Sequence, residues 1–495
     1  MRLIGQIAGP ASWQQVIWLI NEQTVSETIQ QKPTIVKREA EVFYPAKRAI
    51  VIGGGVGGLA AARVLSDYFG QVLVLERDKL ISDATPRGGV PQGKHPHGLL
   101  AGGLKALENL FPNFGAELIR AGAVPVDPGC EFLYEIPEQD AWPRINLNWR
   151  TCAMSRPLIE LTLRRRVLRI RNIEVRGGCR VLGFKSDSKA GAATGIRYQA
   201  ADGRTETRES DFIVEASGNG SLTLEFLRRT GRALPEETSI GVYARDASAV
   251  FEGRGIWGDY KVAFTFPNAP EQSRGGLVIP AENNQHQVVL IGRGKEIPPI
   301  DGDEFLSYAR TLPTPTVYNT IKNAKRLTEI TPFNFTESRW RHFAQVPDFP
   351  PGLLPIGDAI CRFNPVYGQG MTVAFREANL LFDLLRNSNE DPFPTLASTF
   401  LNEAEKLIAH PWAMSAIPDF IYPETTGERP ADLEDRLNFQ KGLARLVVHD
   451  PEVFKLLLEV RHLLKPLSAL DDPSIVRRVN EELADASQVP VSLAS

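Results

Sequence analysis

The clearest pattern in the first part of the chain is a short apolar run cut off by glycine. Ile50, Val51 and Ile52 follow one another and meet Gly53. An unbroken apolar run of that length, bounded by glycine, reads as a strand buried on both faces of a parallel sheet. A helix is expected next, opening near Val56 and carrying Ala60, Ala61 and Ala62. Side chains that small suit a helix lying close on a sheet. A second run, 72–75, ends at Glu76, and two later segments repeat the pattern. Residues 212–216 read as a strand entering a glycine turn. Residues 352–358 read as a strand ending in Gly357-Asp358, followed by a loop and a helix opening at about Gly370.

Other segments follow different periods. Pro157 begins a helix over 158–170, consistent with proline in a first turn. Asp202-Gly203, between two polar-apolar runs, is a hairpin signal. Runs at 239–251, 260–266, 276–279 and 287–291 read as strands separated by turns, with Pro280 closing the third. Val453, Phe454, Leu456, Leu457, Val460, Leu463 and Leu464 form a broad apolar face with Lys455, Glu459 and Lys465 outside it. Such a face packs on the protein body; docking on a membrane surface is the competing reading.

Composition narrows the class. The chain has 495 residues, enough for about three domains. Hydrophobic residues make up 43% and charged residues 23%, a globular balance. The net charge of −3 offers no electrostatic footprint for nucleic acid. No apolar window is long enough for a transmembrane segment. Cys130, Cys152, Cys179 and Cys361 lie far apart and form no CxxC pair. That spacing predicts reduced thiols in a cytoplasmic protein, without a zinc ribbon or a redox pair. Residues 1–46 read as an N-terminal extension that lacks the clean apolar core of a signal peptide.

The turn after the first strand carries specific chemistry. Gly53, Gly55 and Gly58 form a G-x-G-x-x-G, with strand before and helix after. Gly53 allows the tight turn, Gly55 lets backbone amides approach a pyrophosphate, and Gly58 lets the helix close on the sheet. The helix N-terminus then faces the phosphates with its partial positive charge. Glu76 lies 18 residues after Gly58, near the spacing expected for an acid on a ribose diol. A glycine turn binding nothing would not need this flanking strand, helix and acid. Glu76 alone does not choose between FAD and NAD. The later Gly357-Asp358 favours FAD, because a carboxylate at a strand end can hold a sugar. A helix N-terminus at Gly370 can also stabilise negative charge on a reduced flavin.

Several competing motifs fail. The segment from Gly88 to His95 nearly spells a P-loop, but His95 stands where Ser or Thr would hold magnesium, and Pro91 lies inside. His95 and His97 have no neighbouring ligand to complete a metal site, so they read as structural or flavin-adjacent. Ser217 and Ser221 lack a nucleophile elbow.

On these residues the chain resembles the group A FAD-dependent monooxygenases, the para-hydroxybenzoate hydroxylase-like superfamily. The match runs through the Gly53 to Gly58 fingerprint, Ser155-Arg156, Glu215 to Ser221, Gly357-Asp358 and Phe363 to Met371. It continues at His410-Pro-Trp412 and Tyr422-Pro423. The stretch from Arg87 to His97 looks like the branch of flavin epoxidases from polyether pathways. The resemblance implies an α/β fold. A Rossmann-like FAD-binding domain would be built from 47–125, 151–233 and 341–400. A mainly antiparallel β-sheet substrate domain would be inserted as 126–150 and 234–340, and 401–495 would form a helical C-terminal region. It implies that Glu76 binds the adenosine ribose and Asp358 the ribityl side of FAD. Gly370 and Met371 would lie at the flavin pyrimidine edge, with Arg87 and Arg156 near the cofactor.

The implied activity is insertion of one oxygen atom from O2, through a flavin C4a-hydroperoxide, into an apolar small-molecule substrate. Epoxidation stands slightly ahead of hydroxylation. The flavin carries the chemistry, so neither a catalytic nucleophile nor a metal is expected. NAD(P)H is the implied electron donor. Family members usually carry Asp-Gly where this chain has Ser217-Gly218, which leaves a separate reductase open as the electron source. The alternatives are an FAD-dependent reductase of prenyl double bonds and a non-catalytic flavin-binding protein. The Trp-x-Trp-x-Ile-Pro signature of flavin halogenases is absent.

Overall fold

The computed structural model describes residues 44–488, apart from 188–190, 219, 254, 257 and 389–390. The predicted N-terminal extension therefore lies, up to residue 43, outside the described residues.

The four predicted apolar runs, joined by an unpredicted edge strand at Ile173–Arg176, build a five-stranded parallel sheet. Its order is Leu353–Pro355, Phe212–Glu215, Tyr44–Ile52, Phe69–Leu75 and Ile173–Arg176. Four of the five strands lie within the segments expected for the dinucleotide domain, and the Tyr44–Ile52 strand begins inside the predicted 1–46 extension. The Val56–Leu65 helix follows the central strand, and Leu59, Ala60, Ala61 and Ala62 are fully buried. A side chain on Gly57 would begin 3.3 Å from Ala374 Cβ, so this helix and the Gly370–Arg386 helix lie close together. The helix predicted at 158–170 runs over Arg156–Val167, with Ser155 Oγ accepting the Leu158 N–H at 3.2 Å as its cap.

A seven-stranded sheet forms the second layer. Its order is Cys361–Arg362, Thr331–Arg341, Glu237–Glu252, Gln285–Arg293, Gly275–Ala281, Val262–Thr265 and Phe132–Glu135. All pairs are antiparallel except the last. Pro280 does not close its strand: it pairs with His286, and the strand runs on to Ala281. The missing donor is tolerated there because the strand ends one residue later. On one face, Ala247, Ala249, Val288 and Leu290 pack against Phe305 and Val317 of the Gly302–Arg310 and Thr316–Ile321 helices. On the opposite face Ser248 meets His95, and Gln287 Nε2 donates to Met154 O at 3.2 Å. The Asp202-Gly203 turn joins Ala193–Gln199 to Thr205–Glu209 as an antiparallel pair, with Gly203 at φ +85°.

The C-terminal region is helical: Phe393–Asp419, Leu433–His449, Pro451–Arg461 and Pro473–Gln488. Val453, Phe454, Leu457 and Val460 are buried in a cluster with Tyr134 and Trp142 of the sheet region. This face is internal packing, so the membrane-surface reading fails for it. Leu458 is buried as well, although it lies outside the predicted face, because the helices on either side cover this one broadly. Leu456 and Leu464 are only half-buried. Among the described residues no helix is long and apolar enough to cross a membrane.

Candidate active site

The glycine turn is shaped by the protein's own backbone at two positions and left open at the third. Gly53 has φ +104° and donates its N–H to Leu75 O at 2.8 Å. A Cβ there would stand 2.3 Å from Ala216 O, and one on Gly58 would stand 2.0 Å from Gly53 O. Neither backbone oxygen can yield. Beside Gly55 the nearest atom is Arg87 Nη2, at 3.9 Å from the Cβ position. The Val56–Leu65 helix begins here with no side-chain cap on its first amides.

Glu76 and Arg87 form the next shell of charge. Glu76 is buried; its Oε2 accepts the Gly54 N–H at 2.8 Å and its Oε1 accepts the Asp78 N–H at 2.9 Å. Arg87 Nη1 lies 3.0 Å from Glu76 Oε1 and 2.8 Å from Asp78 Oδ2, and its Nε donates to Glu160 Oε1 at 2.6 Å. Burial works against the Arg87 charge; Glu160, with Glu76 and Asp78, more than restores it. Arg156 shares Glu160 at 3.7 Å, and its buried Nε has no partner. Burial pulls its pKa down, while Glu160 and Asp358 hold the charge.

Asp358, Gly370 and Met371 come together at the end of the Leu353–Pro355 strand. Gly357, at φ +64°, starts a tight turn and donates its N–H to Glu377 Oε2 at 2.5 Å. A Cβ on Gly370 would stand 3.9 Å from Asp358 Oδ1, so the carboxylate lies beside the first residue of the Gly370–Arg386 helix. No described residue makes a hydrogen bond with the Asp358 carboxylate. Burial raises its pKa, against the pull of Arg362, Arg156 and Arg339. Met371 is half-buried against the core. Glu377 is fully buried, with its pKa pushed up to about 8 by burial, and its Oε1 is unpartnered.

The remaining singled-out residues have structural partners. Ser217 Oγ donates to Glu215 Oε1 at 2.7 Å, and Glu215 Oε2 accepts the Thr223 N–H at 2.8 Å. Ser217 thus helps to orient a buried glutamate. His95 Nδ1 lies 2.7 Å from Ser248 Oγ, with its ring 4.9 Å from Phe333; His97 Nδ1 lies 2.8 Å from His95 O. Burial lowers these histidines to about 4 and about 3, so both are neutral. Among the described residues no His, Cys, Asp and Glu cluster could hold a metal.

Two groups escaped the sequence reading. Glu160, four residues after Arg156, is the shared anion of Arg87, Arg156 and Arg164; its helical spacing from Arg156 was the available signal. Asp419 binds Arg293 and accepts from Asn364 and Tyr367 at 3.0 and 3.1 Å. Those partners are far apart in sequence and carry no local signature.

Among solved structures, the flavin-dependent brominase Bmp2 triple mutant superposes with a TM-score of 0.61 at 18% identity, covering 88% of this chain and 99% of that one. The p-nitrophenol 4-monooxygenase PnpA of Pseudomonas putida DLL-E4 gives 0.61 at 15% identity, covering 84% and 99%. At such identities these likenesses establish the fold. A squalene epoxidase family model matches residues 277–397. Protein Rv3254 of Mycobacterium tuberculosis is 30% identical over 407 residues, 78% of this chain and 83% of that protein. The chain belongs to the same family as Protein Rv3254. The mitochondrial squalene epoxidase 2 of Arabidopsis thaliana is 24% identical over 74% of this chain and 58% of its own length. In this chain the glycine turn, Glu76, Asp358 and the start of the Gly370–Arg386 helix follow the carboxyl ends of parallel strands, and Arg156 reaches them through Glu160 and Asp358. In open α/β sheets that edge is where ligands sit.

Proposed function

We propose that this enzyme inserts one oxygen atom of O2 into an apolar organic substrate, by epoxidation ahead of hydroxylation. The observation that carries the reading is the set of unsatisfied polar atoms along the strand ends. Arg156 Nε is buried and unpartnered, Asp358 has no hydrogen bond among the described residues, and the space beside Gly55 is open. Buried polar groups are normally paired. A long ligand with phosphates at one end and a polyol further along would satisfy all three, and FAD has that shape.

In this reading the open backbone at Gly55 and the start of the Val56–Leu65 helix take the pyrophosphate. Glu76 takes the adenosine ribose. Arg87 has spent Nε and Nη1 on carboxylates, and its Nη2 faces the turn. Arg156 supplies a second positive charge, and Asp358 accepts from the ribityl hydroxyls. Gly370 and Met371, at a helix N-terminus, stabilise negative charge at the pyrimidine edge. When bound, FAD supplies the oxygen-transfer chemistry; the protein's part is to bind, orient and exclude water. The squalene epoxidase match at 277–397 includes the Gln285–Arg293 strand of the sheet, which supports an apolar polyene as substrate. The electron donor in this reading is NAD(P)H, directly or through a separate reductase. Four free cysteines fit a cytoplasmic location.

The test begins with the visible spectrum of purified protein, before and after anaerobic NADPH. Squalene and a shorter polyene are then supplied under labelled O2. One labelled atom per product is expected. Double-bond reduction under strict anaerobiosis would replace this reading with a reductase, and flavin that no donor reduces would replace it with a binding protein.

A further inference from the structure

The Glu237–Glu252 strand is the third strand of the seven-stranded sheet, paired on both sides. Its side chains alternate between faces. Ala247 and Ala249 face the covering helices, whereas Ser248 lies on the opposite face, where His95 meets it at 2.7 Å. Two residues before Ser248 on that same face is Asp246, and two residues before that is Ala244. Ala244 pairs with Arg293, and Arg293 is bound to Asp419, which also holds Asn364 and Tyr367 of the segment leading to Gly370. Asp246 therefore stands between the two places where the flavin-side loops are tied to the sheet.

Its cross-strand neighbours are apolar, with Arg293 and Tyr308 the polar groups nearby. Across the sheet it pairs with Ile291 on one side and Phe333 on the other, and both are half-buried. Among the described residues Asp246 makes no hydrogen bond and no ion pair. Burial pushes its pKa up to about 7, with Arg293 drawing it down. Arg293 itself is already matched by Asp419. Asp246 is itself half-buried, and beside apolar neighbours its carboxyl group loses part of its hydration, which a hydrogen-bonding partner would replace.

We propose that Asp246 is the polar anchor of the substrate site and holds the hydroxyl group of an otherwise apolar alcohol or phenol. The proposal rests on the monooxygenase reading above and names the chemistry of its substrate. A hydroxyl suits this position because it can donate to the ionised carboxylate and accept from the protonated acid. An ammonium group would require the ionised form alone, and a substrate carboxylate the protonated form alone. The half-buried Phe333 and Ile291 provide apolar surface on either side for the rest of the molecule.

The test uses FAD-loaded wild type and the variants Asp246→Ala, Asp246→Asn and Asp246→Leu. Equal flavin content shows that each variant is folded, and Asp246→Leu keeps an apolar filling should the alanine variant fail. Ligand binding is read anaerobically from the shift of the flavin absorption bands, so turnover is not needed. The probes are farnesol and its methyl ether, and 4-hexylphenol and its methyl ether. Wild type is expected to bind the hydroxyl member of one pair about tenfold more tightly than the ether, the scale of one hydrogen bond to an ionisable group. Which pair shows it distinguishes alcohol from phenol. The alanine or leucine variant loses the preference while its affinity for the ether stays, and Asp246→Asn retains part of it. A preference that survives in the alanine or leucine variant overturns the proposal, as does wild type that shows no preference or binds none of the four. If the preference appears but labelled oxygen enters no product, the monooxygenase reading fails while the Asp246 assignment stands.

Discussion

Glu76 Oε2 accepts the backbone N–H of Gly54 at 2.8 Å, which ties the end of one parallel strand to the glycine turn after its neighbour. The same carboxylate holds Arg87 at 3.0 Å. Glu76→Ala would orphan the Gly54 amide and remove one of the three carboxylates around Arg87. Leaving a buried donor unpaired costs about 1–3 kcal/mol. FAD affinity, measured by equilibrium dialysis, should fall at least about tenfold, and the melting temperature should drop with it.

Two glycines of the same turn should respond in opposite ways to one methyl group. At Gly58 the new Cβ meets the Gly53 backbone oxygen at 2.0 Å. Gly58→Ala is expected to give insoluble or flavin-free protein. At Gly55 nothing in the protein lies closer than 3.9 Å. Gly55→Ala should fold with a near-normal melting temperature yet bind FAD poorly. Equal effects on folding at both positions would contradict the assignment of Gly55 to the ligand.

Asp358 has no hydrogen-bond partner to lose among the described residues, and its charged form is opposed by burial. Asp358→Ala should therefore leave folding intact while stripping FAD. A purified variant with full flavin content and an unchanged absorption spectrum would show that Asp358 does not hold the cofactor.

Glu377 gives a pH signature. Burial raises its pKa from 4.5 to about 8 in the folded state, so the native protein holds this proton more tightly than the unfolded chain does. Its contribution is complete below the unfolded value and is lost as pH rises through the folded one. Glu377→Gln keeps an acceptor for the Gly357 N–H and never ionises. The melting temperature of the variant minus that of wild type should grow between about pH 5 and about pH 9. A flat difference would mean that Glu377 is not protonated in the native protein.

Asp419 is fully buried, and its partner Arg293 is 8% exposed. Removing one member of such a pair leaves an uncompensated charge, at a cost of about 3–5 kcal/mol. Asp419→Ala should lower stability by that amount in chemical denaturation. Arg293→Met with Asp419→Leu should recover much of the loss, because a buried pair replaced by apolar groups removes both desolvation costs.

What the chain determined by itself was local. The apolar run into Gly53, the small residues at 60–62 and the Gly357-Asp358 strand end are contiguous signals, because a tight turn and a close helix need particular residues at fixed spacing. They were enough to predict four of the five parallel strands, the glycine turn and the helix opening at Gly370; the edge strand Ile173–Arg176 carries no such signal. The tertiary structure decided what depends on residues far apart in sequence. It put Glu160 between Arg87 and Arg156 and made Glu377 a buried acid behind Gly357. It turned the face at 453–460 inward onto Trp142, where amphipathic spacing also allowed a membrane surface. It left Asp246 unpaired beside apolar cross-strand neighbours, between His95 and Asp419. Whether a charge is matched depends on groups brought together only by packing, and neither periodicity nor motif spacing encodes that distance.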